Sequence, residues 1–166
     1  MSQTYQIKQN DIVVDLPKTI GIGYGQFWRS RHLYRVVKGS RGSKKSKTTA
    51  LNYVTRILKY PWANLLVIRR YSNTNKQSTY TDFKWAANQL KVAHKFKFNE
   101  SLPEITVKET GQKILFRGLD DELKITSITV DVGILCWAWF NISDQVKPLE
   151  FMGNPNVKTR AIMSEV

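Results

Sequence analysis

The residues best placed to do chemistry lie in one octet, Gly39-Ser40-Arg41-Gly42-Ser43-Lys44-Lys45-Ser46. Its small residues let the backbone turn tightly and approach an anion, while Lys45 and Ser46 set a cation beside a hydroxyl. The pattern G-x-x-x-x-G-K-[ST] is met at Gly39, Lys45 and Ser46, whereas Lys44 occupies the second glycine position. In such a loop, backbone N–H groups and a following helix terminus point at a β-phosphate. Lys45 then contacts β- and γ-oxygens and the Ser46 hydroxyl binds Mg2+, so a nucleoside triphosphate with Mg2+ is the expected cofactor pair. Arg41 has the reach to meet the γ-phosphate. Lys44 lacks glycine's backbone freedom, at a cost of about 1 kcal/mol if its φ is positive. The plainer alternative is a basic turn whose lysines sit in water.

Other reactive side chains are sparse. Asp120-Asp121-Glu122 is an acidic cluster, and paired carboxylates can hold a metal for nuclease work; just after Gly118 they more simply begin a short helix, whose positive end favours acids. His32 and His94 stand without a cysteine or carboxylate at ligand spacing and read as surface or packing residues. A single cysteine, Cys136, excludes a disulfide scaffold, argues against a zinc cluster and points to a reducing, cytoplasmic setting. Trp28, Trp62, Trp85, Trp137 and Trp139 could stack on bases, but most fall in apolar patterns expected of a core. Phe27 and Trp28 are candidates to border an adenine pocket.

A phosphate loop needs a strand before it and a helix after it, and periodicity supplies both. Residues 34–38 read as a short buried strand, and residues 46–60 place Ala50, Leu51, Val54, Ile57 and Leu58 on one helical stripe that Pro61 closes. Residues 65–68 are a second apolar run ending at Arg69 and Arg70, as for a crossover between parallel strands. Ser78 is positioned to cap a helix carrying Tyr80, Phe83, Ala87 and Leu90. Residues 105–107 and 114–116 alternate about Thr110-Gly111 and predict a hairpin, while residues 134–140 are apolar throughout, as in a strand covered on both faces. The expected fold is α/β, a mostly parallel sheet flanked by helices with a β-hairpin.

Charge narrows the partners. In 166 residues, 26 Lys and Arg stand against 13 acids, for a formal charge of +13. Between Asp15 and Asp82 fourteen cations meet no acid at all. Like charges at that density repel unless phosphate neutralises some of them, so nucleic acid or nucleotide phosphate is favoured over a merely solvated face. No apolar run approaches the roughly 18 residues that span a bilayer, and residues 1–10 lack a secretory apolar segment, so no membrane partner is expected.

The loop in KGSRGSKKSKTTA, the strand and arginines of NLLVIRRYSNT, the helix STYTDFKWA, the stretch TGQKILFRGLDDELKITSI and the strand ILCWAWF occur in that order. Together they resemble the amino-terminal ATPase domain of the large terminase subunits that package DNA in tailed bacteriophages. The resemblance runs from about Phe27 to Phe140. It implies a P-loop NTPase fold, ATP-driven movement of double-stranded DNA, a small terminase subunit and a portal ring as partners, and the cytoplasm of the bacterial host as location. Arg41 falls where the family places an arginine that senses or stabilises the γ-phosphate.

One departure is serious. In the family two consecutive acids follow the apolar strand, one holding the Mg2+ shell and the other polarising the attacking water. Here Phe140 is followed by Asn141 and Ile142, which carry no negative charge and accept no proton. Loss of a general base costs about 10² to 10⁴ in rate. Asp144 lies too far along a strand advancing about 3.3 Å per residue to replace them. The implied organisation is residues 1–25 as an extension, 26–140 as a partial P-loop ATPase domain, and 141–166 as a tail unrelated to the family, with the nuclease domain absent. An interrupted reading frame would produce this truncated product, and the sheet would be incomplete on its C-terminal side. The family's next strand inserts between the acidic and phosphate-loop strands. Without it both would expose unpaired N–H and C=O groups unless the tail fills the gap, which predicts a marginal domain. The expected function is an ATP-binding terminase fragment defective in hydrolysis; the alternative is a non-enzymatic, basic, nucleic-acid-binding remnant.

Overall fold

Two short helices, α1 (Leu16–Ile20) and α2 (Gly25–Arg29), precede the first strand, β1 (Arg35–Val37). The computed structural model describes residues 14–30, 32, 35–37, 39–40, 42–120, 128–140 and 160–165. After β1 come α3 (Lys45–Lys59), β2 (Asn64–Arg69), α4 (Asn73–Gln77) and α5 (Thr79–Gln89). The remaining strands are β3 (Phe96–Asn99), β4 (Glu104–Val107), β5 (Lys113–Gly118), β6 (Val132–Phe140) and β7 (Arg160–Glu165). Among the described residues these strands form one seven-stranded sheet in the order β1-β7-β6-β2-β5-β4-β3. β1, β7, β6, β2 and β5 are parallel, and β4 runs antiparallel to both β5 and β3.

Alternation along the central strands assigns residues to two layers. Leu65, Val67, Ile114, Phe116, Ile134 and Cys136 join the larger core under α3 and α5, whereas Leu66, Ile68, Leu115 and Leu135 meet Ile128 on the opposite face. Val132 would share a layer with Ile134 by parity, yet it belongs with the second group. The register explains this, because Asn64 faces Val132 but Leu65 faces Ile134, leaving Gly133 as an extra residue that reverses the pleat. On the helical face Tyr53 of α3 stacks on Phe83 of α5 at 6.3 Å, and Phe83 and Tyr80 meet Phe116 edge-on at 5.4 and 5.5 Å. These aromatic contacts fix α3 and α5 over β5 and add to simple burial.

The periodic elements match the sequence reading closely. The apolar stripe is buried in α3, and the hairpin pairs Ile105 with Ile114 across the turn. β1 and β2 are parallel but not adjacent, since β7 and β6 lie between them. That slot corrects one expectation. The strand gap foreseen beside the phosphate-loop strand is filled by residues 160–165, with Arg35 opposite Ile162 and Ile134 opposite Arg160. Backbone pairing needs no particular side chains, so a segment without family resemblance can still supply the missing ladder.

One local expectation also changes. Ser78 precedes α5, but its side chain makes no capping bond; α4 delivers the chain with Ser78 at φ −121°, ψ −83°, away from the extended cap geometry, and its carbonyl accepts the Thr81 hydroxyl at 2.6 Å instead. Of the acidic cluster the structure describes Asp120: its carboxylate accepts from the Ser72 N–H at 2.9 Å and the Ser72 hydroxyl at 3.0 Å, tying the turn after β5 to the turn after β2. Asp121 and Glu122 lie outside the described residues.

Candidate phosphate-binding site

Parallel strands end on one rim of the sheet, so the turns after β1, β2 and β5 leave from the rim where β6 also ends. The octet fills the turn between β1 and α3. Within it the Ser43 N–H bonds the Ser40 carbonyl at 3.2 Å, closing a tight bend. Gly42 adopts φ 84°, a left-handed value natural to glycine. A Cβ on Gly39 would meet Ser43 Oγ at 2.9 Å and Lys45 Cδ at 3.4 Å, so a side chain there would have to displace the Ser43 hydroxyl.

Lys44 adopts φ 61°, ψ 20°, the left-handed conformation that its place in the pattern demands. The cost anticipated from sequence therefore applies, about 1 kcal/mol relative to glycine. Three bonds hold the residue there: its carbonyl accepts from the Thr48 N–H and the Thr48 hydroxyl, each at 2.9 Å, and its ammonium donates to the Thr19 carbonyl at 3.3 Å.

Lys45, the first residue of α3, folds back across the loop. Its ammonium donates to the Gly39 carbonyl, to the Ser40 carbonyl at 3.0 Å and to Ser43 Oγ at 3.3 Å. All three donors are thus trained on loop oxygens, and an incoming oxyanion would offer charge-assisted partners in their place. Ser46 is exposed in the first turn of α3, where amides lack intrahelical partners and the helix dipole is positive. The arrangement can hold a phosphate-type oxyanion.

Further charged side chains lie on and beside α3. Lys47 lies over the Trp85 ring at 4.8 Å. Half-buried Asp82 is raised by burial, against the pull of Lys47 and Arg69, while burial lowers the Arg69 guanidinium at the end of β2. Deeper in, Arg35 of β1 donates to Asn52 Oδ1 at 3.3 Å and the Phe27 carbonyl at 3.4 Å, and lies over the Phe27 ring at 5.0 Å. Burial, then the charge of Arg56, pushes Arg35 down to about 10. Arg56 shares Asn52 Oδ1 at 2.9 Å, so one amide oxygen ties β1 to α3.

Of the residues singled out from sequence, Gly39, Ser40, Gly42, Ser43, Lys44, Lys45 and Ser46 are brought together in this turn. Arg41, Asn141 and Ile142 lie outside the described residues. Phe27, Trp28 and Trp85 pack against the main core, Trp62 is exposed, and His32 and His94 are exposed. Sequence reasoning missed Tyr24, whose hydroxyl donates to the Ser43 carbonyl. Flanked by Gly23 and Gly25, it follows no periodic pattern that would connect it to the loop.

A family model for the phage terminase large subunit matches residues 31–153. The chain belongs to that family. The match continues past Phe140 to residue 153, so part of the tail expected to be unrelated to the family falls within it. The terminase large subunit of Bacillus phage SPP1 is 34% identical over 135 residues, spanning 75% of this chain and 32% of that relative. The PBSX phage terminase large subunit of Bacillus subtilis is 33% identical over 95 residues, spanning 57% and 22%. This terminase chain therefore spans a third or less of those curated relatives. The large terminase ATPase domain of Thermus phage P74-26 superposes with a TM-score of 0.61 at 12% identity, covering 82% of this chain and 61% of that one. The large terminase of a second thermophilic bacteriophage, in complex with ADP, gives 0.59 at 12% identity, covering 83% and 36%. The fold of this terminase chain is accordingly that of large terminase ATPase domains, a P-loop NTPase-type α/β sheet. Among the described residues no helix is long and apolar enough to cross a membrane.

Proposed function

We propose that this chain is the nucleotide-binding part of a viral DNA-packaging ATPase, that it binds ATP with Mg2+ at residues 39–46, and that it hydrolyses ATP very slowly or not at all. The observation carrying the reading is the closure of the loop around the Lys45 ammonium, at the start of a 15-residue helix on the rim of a parallel sheet. A triphosphate fits this donor set: Lys45 meets β- and γ-oxygens, and loop and helix amides face the β-phosphate. Arg41 takes the γ-phosphate, and Ser46 is the Mg2+ ligand on this chain. The ion would neutralise charge building between the β- and γ-oxygens. The complex of the thermophilic bacteriophage's large terminase with ADP supports the nucleotide class.

The hydrolysis defect rests on Asn141 and Ile142, which follow β6 where the family carries its two acids. Without a carboxylate to orient water, phosphoryl transfer falls by about 10² to 10⁴. Residues 26–140 serve as the partial ATPase domain, and the whole acts in the host cytoplasm beside a small terminase subunit and a portal. The acid-free tract from residue 16 to residue 81 supports double-stranded DNA as the polyanion bound. That tract equally favours the second reading, a basic nucleic-acid-binding remnant with no nucleotide cycle.

Calorimetric titration separates the two. Mg-ATP should bind the full chain, and Lys45→Ala should weaken it by about 100-fold, as expected for charged hydrogen bonds, without lowering the melting temperature. Phosphate release should stay near the uncatalysed rate. DNA binding that falls steeply with salt, with no Mg-ATP binding, would leave only the remnant.

A further inference from the structure

The loop is not held by its own strand and helix alone. The α1–α2 segment reaches it twice, through the Tyr24 hydroxyl to the Ser43 carbonyl and through the Lys44 ammonium to the Thr19 carbonyl at 3.3 Å. The first bond has a geometric consequence. In a planar trans peptide the carbonyl and the following N–H point in opposite directions, and the described chain contains no cis peptide. By holding the Ser43 carbonyl, Tyr24 turns the Lys44 N–H to the side away from the α1–α2 segment. The second bond draws the Lys44 side chain toward α1, so a bulky residue stands at a glycine position without its ammonium lying over the loop. The Thr48 bonds to the Lys44 carbonyl fix the other side of the residue.

We propose that Tyr24 is a positioning residue for the phosphate loop: it locks the Ser43–Lys44 peptide plane so that the Lys44 amide faces a bound β-phosphate, with the Lys44–Thr19 bond as its companion strap. The inference rests on the nucleotide reading above and assigns the α1–α2 segment a part in it. A β-phosphate contact affects ADP and ATP alike and leaves AMP untouched. Phosphate bound at the loop also restrains the strap, so residues 19–25 should tighten when nucleotide arrives.

The test uses the full chain, with Mg-ADP and AMP as probes. Tyr24→Phe keeps the ring and removes only the hydroxyl; it should weaken Mg-ADP about tenfold, change AMP by less than about twofold and leave the melting temperature in place. Lys44→Gln should weaken Mg-ADP in the same direction by a smaller factor. A hydroxyl that merely braced the fold would instead lower the melting temperature and keep the ADP-to-AMP ratio, which would overturn the proposal. On the unaltered chain, Mg-ADP should slow amide exchange at residues 19–25 together with residues 42–47. Protection of 42–47 alone overturns the strap and spares the nucleotide reading, and this arm decides the matter even if Tyr24→Phe does not fold. An unaltered chain that binds no Mg-ADP overturns that reading and this inference with it.

Discussion

β5 pairs with β4 across a short turn and with β2 over a longer stretch of chain that includes α4, α5, β3 and β4, Leu65 facing Ile114. β1, which delivers the phosphate loop, meets only β7 among the described strands, and there Arg35 faces Ile162 from the far end of the sequence. The β3–β4–β5 edge therefore assembles through local turns, whereas the opposite edge closes a very long loop. Closing a longer loop costs more chain entropy, and pairings of high sequence separation slow folding. The difference teaches that the candidate site has two anchors: its helix, α3, is held in the core with α5, β2 and β5, while its strand, β1, depends on residues 160–165.

Ending the chain at residue 159 should have the largest effect. β1 would lose its pairing and β6 one of its two neighbours, so Mg-ATP binding should vanish and dye-binding apolar surface should appear. An unchanged melting curve with intact binding would erase the distinction between the two sides. Next, Ile114→Ala opens a cavity at a fully buried position on the local side. It should cost about 2–5 kcal/mol in denaturant unfolding yet leave Mg-ATP affinity in the surviving folded protein within about twofold. A matching loss of affinity would show that the sides are not separable.

Cys136 of β6 lies between them. Burial pushes its thiol up to about 12 from an ordinary 9.0, so a thiol reagent at pH 8 should label it only after unfolding. The sign for stability follows: the unfolded chain ionises first, so the fold weakens as pH climbs above about 9. Fast native labelling would place β6 at an open edge. The smallest effect belongs to Asp82, whose carboxyl is raised by burial despite Lys47 and Arg69. The folded state retains that proton to higher pH than the unfolded chain, so stability falls as pH rises above the ordinary 3.8 and the deficit persists at neutrality. Asp82→Asn should raise the melting temperature slightly at pH 7 and not below pH 3.8; a fall at pH 7 would mean that its attraction to the two cations dominates.

Legibility in the sequence follows the same division. α3, β2, β5 and the hairpin were readable because each carries its own periodicity, and the octet because small and basic residues sit between a strand and a helix. Even the left-handed backbone at Lys44 could be anticipated from its place in the pattern. β7 could not, since a parallel strand is defined by where it pairs, and residues 160–165 match no motif. α4 was hidden by its polar composition, and Tyr24 by a hydrogen bond to a backbone carbonyl 19 residues away. Contacts of that kind leave no trace in hydrophobic spacing.

Amide exchange across residues 42–47, read with and without Mg-ATP, addresses the central claim most directly. Slowed exchange throughout that stretch, lost on Lys45→Ala, is the predicted result. Unchanged exchange there at saturating Mg-ATP, or protection confined to another part of the chain, would contradict a triphosphate seated in this turn.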